Sequence, residues 1–186
     1  MDAGSAYIVA ARKLTRETFV AEHPGLYLLK RPLGEEAEPL DDTGQHFDTE
    51  RFSLDSMRMI LSSEEKRAKL LGEWADQWLV APVRKRVETF PDRISIGRTN
   101  YCDIVLKLGF ISKLHAHIFL TSDANAVELV DRSSNGTSVA GRALENGVRT
   151  RVTVGTLIGF GALDVQLLDA GGVHDAIRRS AEAVQV

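Results

Sequence analysis

The apolar positions of this chain change texture about two fifths of the way along. After Val80 they fall into short apolar or alternating runs at 79–83, 93–97, 104–106, 115–120, 126–130, 137–140, 150–154, 157–159 and 165–168. Turn formers separate the runs: Pro91-Asp92, Asp123-Ala124-Asn125, Ser134-Asn135-Gly136, Glu145-Asn146-Gly147 and Gly159-Phe160-Gly161. Alternation with a period of two places every second side chain on one face of a strand. Many short strands at this spacing predict a mainly β domain, an antiparallel two-sheet β-sandwich or barrel.

The first part of the chain reads differently. The apolar run 6–10 is short enough to be strand or helix. Thr15 is placed to cap a helix reaching about Glu22, which His23-Pro24-Gly25 would stop. Residues 26–30 then read as a strand ended by Pro32 and Gly34. From 34 to 50, Glu35, Glu36, Glu38, Asp41, Asp42, Asp48 and Glu50 crowd together with few apolar residues, the composition of a solvated linker. Ser62 and Glu65 have capping-box spacing. Leu71, Trp74, Ala75 and Trp78 follow at i, i+3, i+4 and i+7, predicting an amphipathic helix over 63–78 that docks on its neighbour as a bracket. At the other end, Val173, Ile177, Ala181 and Val184 would share one side of a short C-terminal helix. The expected division is an N-terminal mixed α/β extension over 1–77, a β-sandwich over 78–169 and a tail over 170–186.

Composition narrows the function classes. With 44% hydrophobic and 26% charged residues among 186, the chain can bury a core. A net charge of −3 argues against wholesale nucleic-acid binding. The charge is uneven: residues 78–169 carry 11 Lys+Arg against 9 Asp+Glu, and the remainder 12 against 17. A mildly basic sandwich beside an acidic segment hints at an anionic ligand. The single cysteine, Cys102, cannot close an intramolecular disulfide and lies in an apolar strand, so it is expected as an inert core thiol. No stretch approaches the ~20 apolar residues of a membrane span, and no basic-then-apolar leader opens the sequence, so membrane insertion is not expected and the cytoplasm is the default.

The candidate chemistry lies in three segments: Gly97-Arg98, Ser112-Lys113-Leu114-His115 and Asp131-Arg132-Ser133-Ser134-Asn135-Gly136-Thr137. They put an arginine, a lysine, serines and an asparagine at the ends of strands, residue types suited to holding a phosphate on loops. A phosphate ester on a side chain carries about −1.5 to −2 charges near neutral pH. Arg98 supplies a planar fork able to grip two of its oxygens, Ser112 a hydroxyl donor and Lys113 a point charge. Ser134 and Asn135 sit in a turn that can present further donors.

These segments, with Cys102-Asp103-Ile104-Val105-Leu106 between the first two, resemble in order and spacing the forkhead-associated (FHA) domain family. The resemblance covers about 78–169. It implies a two-sheet sandwich whose loops at one end recognise phosphothreonine in a partner protein, downstream of a Ser/Thr kinase, without catalysis, metal or organic cofactor. It further implies that Arg98, Ser112 and Lys113 bind the phosphate, that Ser134 lines the same pocket and that Asn135 holds the peptide backbone. Gly97, His115 and Gly136 are implied to shape the loops. Lys113 stands where the family usually has arginine, which keeps the charge and loses the fork. Ala140-Gly141 stands in place of the usual Asn-Gly, which loosens that turn. Phe110 and Ile111, in the loop before Ser112, suggest an apolar preference three places after the phosphothreonine.

Other readings compete. One keeps the fold but serves as a phospho-independent interaction or assembly module. Another is a hydrolase, since Ser112, His115 and Asp131 contain the letters of a triad, although no nucleophile elbow accompanies them. His115 and His117, two apart on a strand, would face one side, but no carboxylate or thiol pattern completes a metal site. Thr43 and Thr49, in the acidic linker, are candidates for phosphorylation and fold-back onto the domain's own loops.

Overall fold

A computed structural model describes residues 3–32, 68 and 71–183. Two helices, α1 (Ala3–Lys13) and α2 (Arg16–Glu22), precede strand β1 (Leu26–Lys30). Ten strands follow: β2 (Leu79–Pro82), β3 (Ile94–Gly97), β4 (Ile104–Val105), β5 (Ala116–Leu120), β6 (Ala126–Asp131), β7 (Thr137–Val139), β8 (Arg142–Ala143), β9 (Arg149–Thr153), β10 (Leu157–Phe160) and β11 (Leu163–Asp169). Helix α3 (Ala170–Ala183) closes the described chain. The strands form two sheets, ordered β2-β1-β11-β10-β7-β8 and β4-β3-β5-β6-β9. Every pairing is antiparallel except β3 with β4. The expected mainly β, two-sheet sandwich with helices at both ends is what forms.

Alternation builds the core between the sheets. Ile94, Ile96, Ala116, Ile118, Val127, Leu129 and Val152 from one sheet bury against Leu28, Ile158, Phe160, Leu163, Val165 and Leu167 from the other. Each such aliphatic side chain contributes about 1.5–3 kcal/mol when taken from water. A buried carboxylate fixes one corner of this core. Asp103 accepts hydrogen bonds from the N–H and Oγ of Ser95 (both 2.8 Å), the N–H groups of Arg86 (2.7 Å) and Val87 (2.9 Å), and Nζ of Lys85 (3.0 Å). Burial opposes its ionisation, but these donors outweigh that and hold the carboxyl well below the usual carboxylate range. The segment after β3 is thereby pinned to the chain at 85–87.

A second core lies on the outer face of the first sheet. There Phe19, Val173, Ala176 and Ile177 from α2 and α3 pack against Tyr27, Leu29, Val80 and Leu168. Strand β1 is therefore covered on both faces, Leu28 toward the sandwich and Tyr27 and Leu29 toward the helices, which explains its unbroken apolar run. The Thr15 side chain caps α2 by accepting from the Thr18 N–H (3.3 Å), as its position suggested. The run at 6–10 proves helical.

The sequence-based division needs correction at its first boundary. Strand β1, assigned to a separate extension, lies inside the sandwich sheet between β2 and β11, with Leu26 opposite Asp169 and Lys30 opposite Leu79. Pairing between segments so distant in sequence leaves no local pattern. The bracket helix also ends early. Gly72 takes a left-handed φ of +53°, a 3₁₀ turn spans Gly72–Trp74, and Trp78 leads directly into β2. The two tryptophans consequently serve different cores, Trp74 packing on the sandwich interior and Trp78 on the helical layer. Buried Lys30 fastens this stretch, its Nζ donating to the carbonyls of Ala75 (2.9 Å) and Gln77 (2.9 Å). The Ser62 capping box, the acidic linker, Thr43, Thr49 and Val184 lie outside the described residues.

Candidate functional site

The loops at one end of the sandwich are joined by short backbone bonds. Strand β3 ends at Gly97, and a Cβ there would fall on the Lys113 carbonyl and the Cys102 sulfur. Only glycine lets the 112–114 turn come this close. The Arg98 N–H then donates to the Ser112 carbonyl (3.0 Å) and Thr99 Oγ1 to the Lys113 carbonyl (3.0 Å). Cys102 is buried, as expected, but in the loop before β4 rather than in a strand, and its thiol donates to the Lys113 carbonyl (3.4 Å).

His115, fully buried, braces two loops at once. Its Nδ1 accepts from the Ser112 N–H (3.1 Å), so the ring proton sits on Nε2, which reaches the Gly136 carbonyl (3.3 Å). Burial lowers the pKa of the ring, favouring this neutral form. Its edge meets Phe160 at 5.6 Å. The 131–137 turn is held from below by Asp131, which accepts from the Ser133 N–H (3.1 Å) and Thr137 Oγ1 (2.6 Å). Burial works against its charge, and those donors still lower its pKa. Gly136, at φ +84°, supplies the left-handed step of the turn.

In front of this frame opens a cleft of about 420 Å³. Arg98, Ser112, Lys113, Ser134 and Asn135 all line it, so the five residues singled out for ligand contact converge on one surface. Gly97, His115 and Gly136 stand behind it. Two of the five also join loops: Ser112 Oγ accepts from the Ser134 N–H (3.1 Å), and Asn135 Nδ2 donates to the Phe110 carbonyl (2.6 Å). Sequence reasoning missed a further lining residue, Arg132. It sits inside the quoted motif between Asp131 and Ser133, and its basic character was the available signal. Among the described residues, no carboxylate lines the cleft.

Three expectations change here. Ile111 is buried in the sandwich core, whereas Phe110 packs over Gly161, is only half-buried and lines the cleft. His115 and His117 do not share a site: His115 meets Phe160, whereas His117 meets Phe90 and Phe119. Ser112, His115 and Asp131 are not wired as a triad either, because the backbone N–H of Ser112 engages the imidazole and Asp131 serves Ser133 and Thr137. Among the described residues, no group of three or more His, Cys, Asp or Glu side chains could hold a metal ion, and no helix is long and apolar enough to cross a membrane.

Residues 94–161, which contain the three loops and the cleft, match the family model of the FHA domain. The chain carries an FHA domain. No curated protein matches the sequence. Solved structures similar to the chain include the FHA domain of the CT664 protein from Chlamydia trachomatis, at 30% identity and a TM-score of 0.38, covering 41% of this chain and 76% of that one. Another is the N-terminal FHA domain of RAD53P from S. cerevisiae in complex with a phosphothreonine peptide, at 22% identity and TM-score 0.40, covering 52% and 88%. A third is EmbR from Mycobacterium tuberculosis with a low affinity phosphopeptide, at 29% identity and TM-score 0.36, covering 41% of this chain and 20% of that longer one. The FHA match runs from β3 through β10, so β1, β2 and β11 of the first sheet come from outside the matched residues.

Proposed function

We propose that this chain is a non-catalytic adaptor whose FHA domain binds phosphothreonine on a partner protein, downstream of a Ser/Thr kinase. The observation that carries the reading is the convergence of Arg98, Ser112, Lys113, Ser134 and Asn135 on one open cleft that no carboxylate among the described residues lines. In this reading the Arg98 guanidinium takes two phosphate oxygens, Lys113 supplies the second charge and the Ser112 hydroxyl donates to a third oxygen while still accepting from Ser134. Asn135 keeps one amide hydrogen and its carbonyl oxygen for the peptide backbone beyond its bond to Phe110. A cytoplasmic location belongs to the same reading.

A second reading has one observation in its favour. Ser112 and Asn135 already brace loops, a use that a phospho-independent assembly module would share. Titration of a phosphothreonine peptide, its phosphoserine analogue and the unphosphorylated peptide separates the two. Phosphothreonine binding is expected to weaken by about tenfold or more on Arg98→Ala, from the loss of a charge-assisted bidentate contact. Affinity indifferent to the phosphate and to Arg98→Ala would leave the assembly module.

A further inference from the structure

The cleft holds more positive charge than one phosphate needs. Arg98, Lys113 and Arg132 all line it, and none makes an ion pair among the described residues. The nearest carboxylate in sequence, Asp131, is buried and occupied by Ser133 and Thr137. A phosphothreonine brings at most about two negative charges. Three cations therefore leave about one unmatched, in a cleft that no carboxylate among the described residues lines.

Arg132 is also held for use. Its backbone N–H donates to the His115 carbonyl (2.8 Å), so its Cα rides on the same brace that positions Ser112. The exposed side chain reaches toward the 145–147 turn, where Nη1 would lie 3.7 Å from a Cβ on Gly147. Asp131 ties down that turn too, through the Gly147 N–H on its carbonyl (3.0 Å). The guanidinium thus stands on a fixed base between the cleft and a neighbouring turn.

We infer that Arg132 is a specificity residue for a second anionic group on the same peptide, a carboxylate or a second phosphate beside the phosphothreonine. The inference rests on the phosphothreonine reading above. The preferred ligand is then an acidic or doubly phosphorylated segment, as a threonine embedded among acidic residues would provide. A guanidinium fork suits either anion, and its five N–H donors favour a planar carboxylate as much as a phosphate edge.

The test is a double-mutant cycle by fluorescence anisotropy on the full chain. The probes are a labelled phosphothreonine peptide with neutral flanks, a set with one glutamate walked along those flanks, and a set with a second phosphothreonine in the same places. At least one acidic register should bind about tenfold tighter than the neutral peptide, and Arg132→Gln should remove most of that gain. Arg132→Lys, which keeps the charge and loses the fork, should retain part of it, and thermal melts of both variants check that the fold is intact. The glutamate and phosphothreonine sets show which anion the position prefers. Phosphate-dependent binding with no gain in any register, or a gain that survives Arg132→Gln, overturns the inference alone. Binding of the neutral peptide that ignores phosphate overturns the reading beneath it, and the inference with it.

Discussion

The N–H of Ser112 points at Nδ1 of His115, 3.1 Å away, and this bond decides on which nitrogen the imidazole carries its proton. With Nδ1 accepting, Nε2 must donate to Gly136, so the side chain works only when neutral and in one tautomer. Nitrogen-15 NMR should find the Nε2-protonated neutral form at neutral pH. His115→Ala, which empties a fully buried site and orphans the Ser112 N–H, is expected to cost about 2–4 kcal/mol in urea denaturation. It should also weaken phosphopeptide binding, although the side chain lies behind the cleft. A stability within a few tenths of wild type would show that the loops do not depend on it.

His117 governs stability in acid. It is buried, neither ring nitrogen has a hydrogen-bond partner among the described residues, and Phe90 lies against it at 5.0 Å. Burial, with Arg93 and Arg132 adding repulsion, pushes its pKa down from 6.5 to about 4. The unfolded chain takes up the proton first. The stabilisation is therefore complete above about pH 6.5 and drains away as pH falls toward 4. His117→Phe should shrink the stability loss between neutral and mildly acidic pH by about 2 kcal/mol. His115, also lowered by burial, acts in the same direction but is common to both proteins and cancels in the difference. An unchanged acid sensitivity in the variant would assign the effect elsewhere.

Ala140 and Gly141 form a two-residue hairpin turn between β7 and β8, both at positive φ (49° and 75°). Alanine is strained there, whereas asparagine tolerates the left-handed region. Ala140→Asn is expected to stabilise the protein by about 0.5–1 kcal/mol without changing affinity, read as a higher urea midpoint at constant slope. A lower midpoint would mean that the added side chain meets an obstacle outside the turn.

A piece comprising only 78–169 should fail to fold cooperatively. Without β1, strand β11 loses its pairing from Leu26 to Leu29, and Leu28 leaves the sandwich core. Thermal melts should show a sharp transition for the full chain and none for the piece. A cooperative melt of the piece would restore the boundary drawn from sequence.

What could be read in advance follows from the range of each interaction. The strands after Val80 announced themselves because alternation and turn chemistry are local, and the cleft residues because the three motif segments end at strand tips. The short edge strand β8 went unseen: its two residues, both exposed, leave no apolar pattern. Trp74 and Trp78 looked like one helical face because their spacing allowed it, and the left-handed Gly72 between Leu71 and Trp74 changed the outcome. Arg132 went unremarked because charge alone does not say which way a side chain faces. Only the His115 brace and the 145–147 turn turn it into part of a site.

The pairing of β1 with β11, and of α1 and α2 with α3, also sets when this protein can fold. An inner strand and its closing partner are far apart in the sequence, so one is synthesised well before the other. A ribosome that has released the three cleft segments still holds a chain whose first sheet cannot close, because residues 163–183 have yet to emerge. Early strands must wait with one apolar edge uncovered, a delay that exposes the newborn chain to aggregation and chaperones. Binding competence should therefore arrive abruptly, once β11 and α3 have emerged, rather than with the loops that hold the ligand.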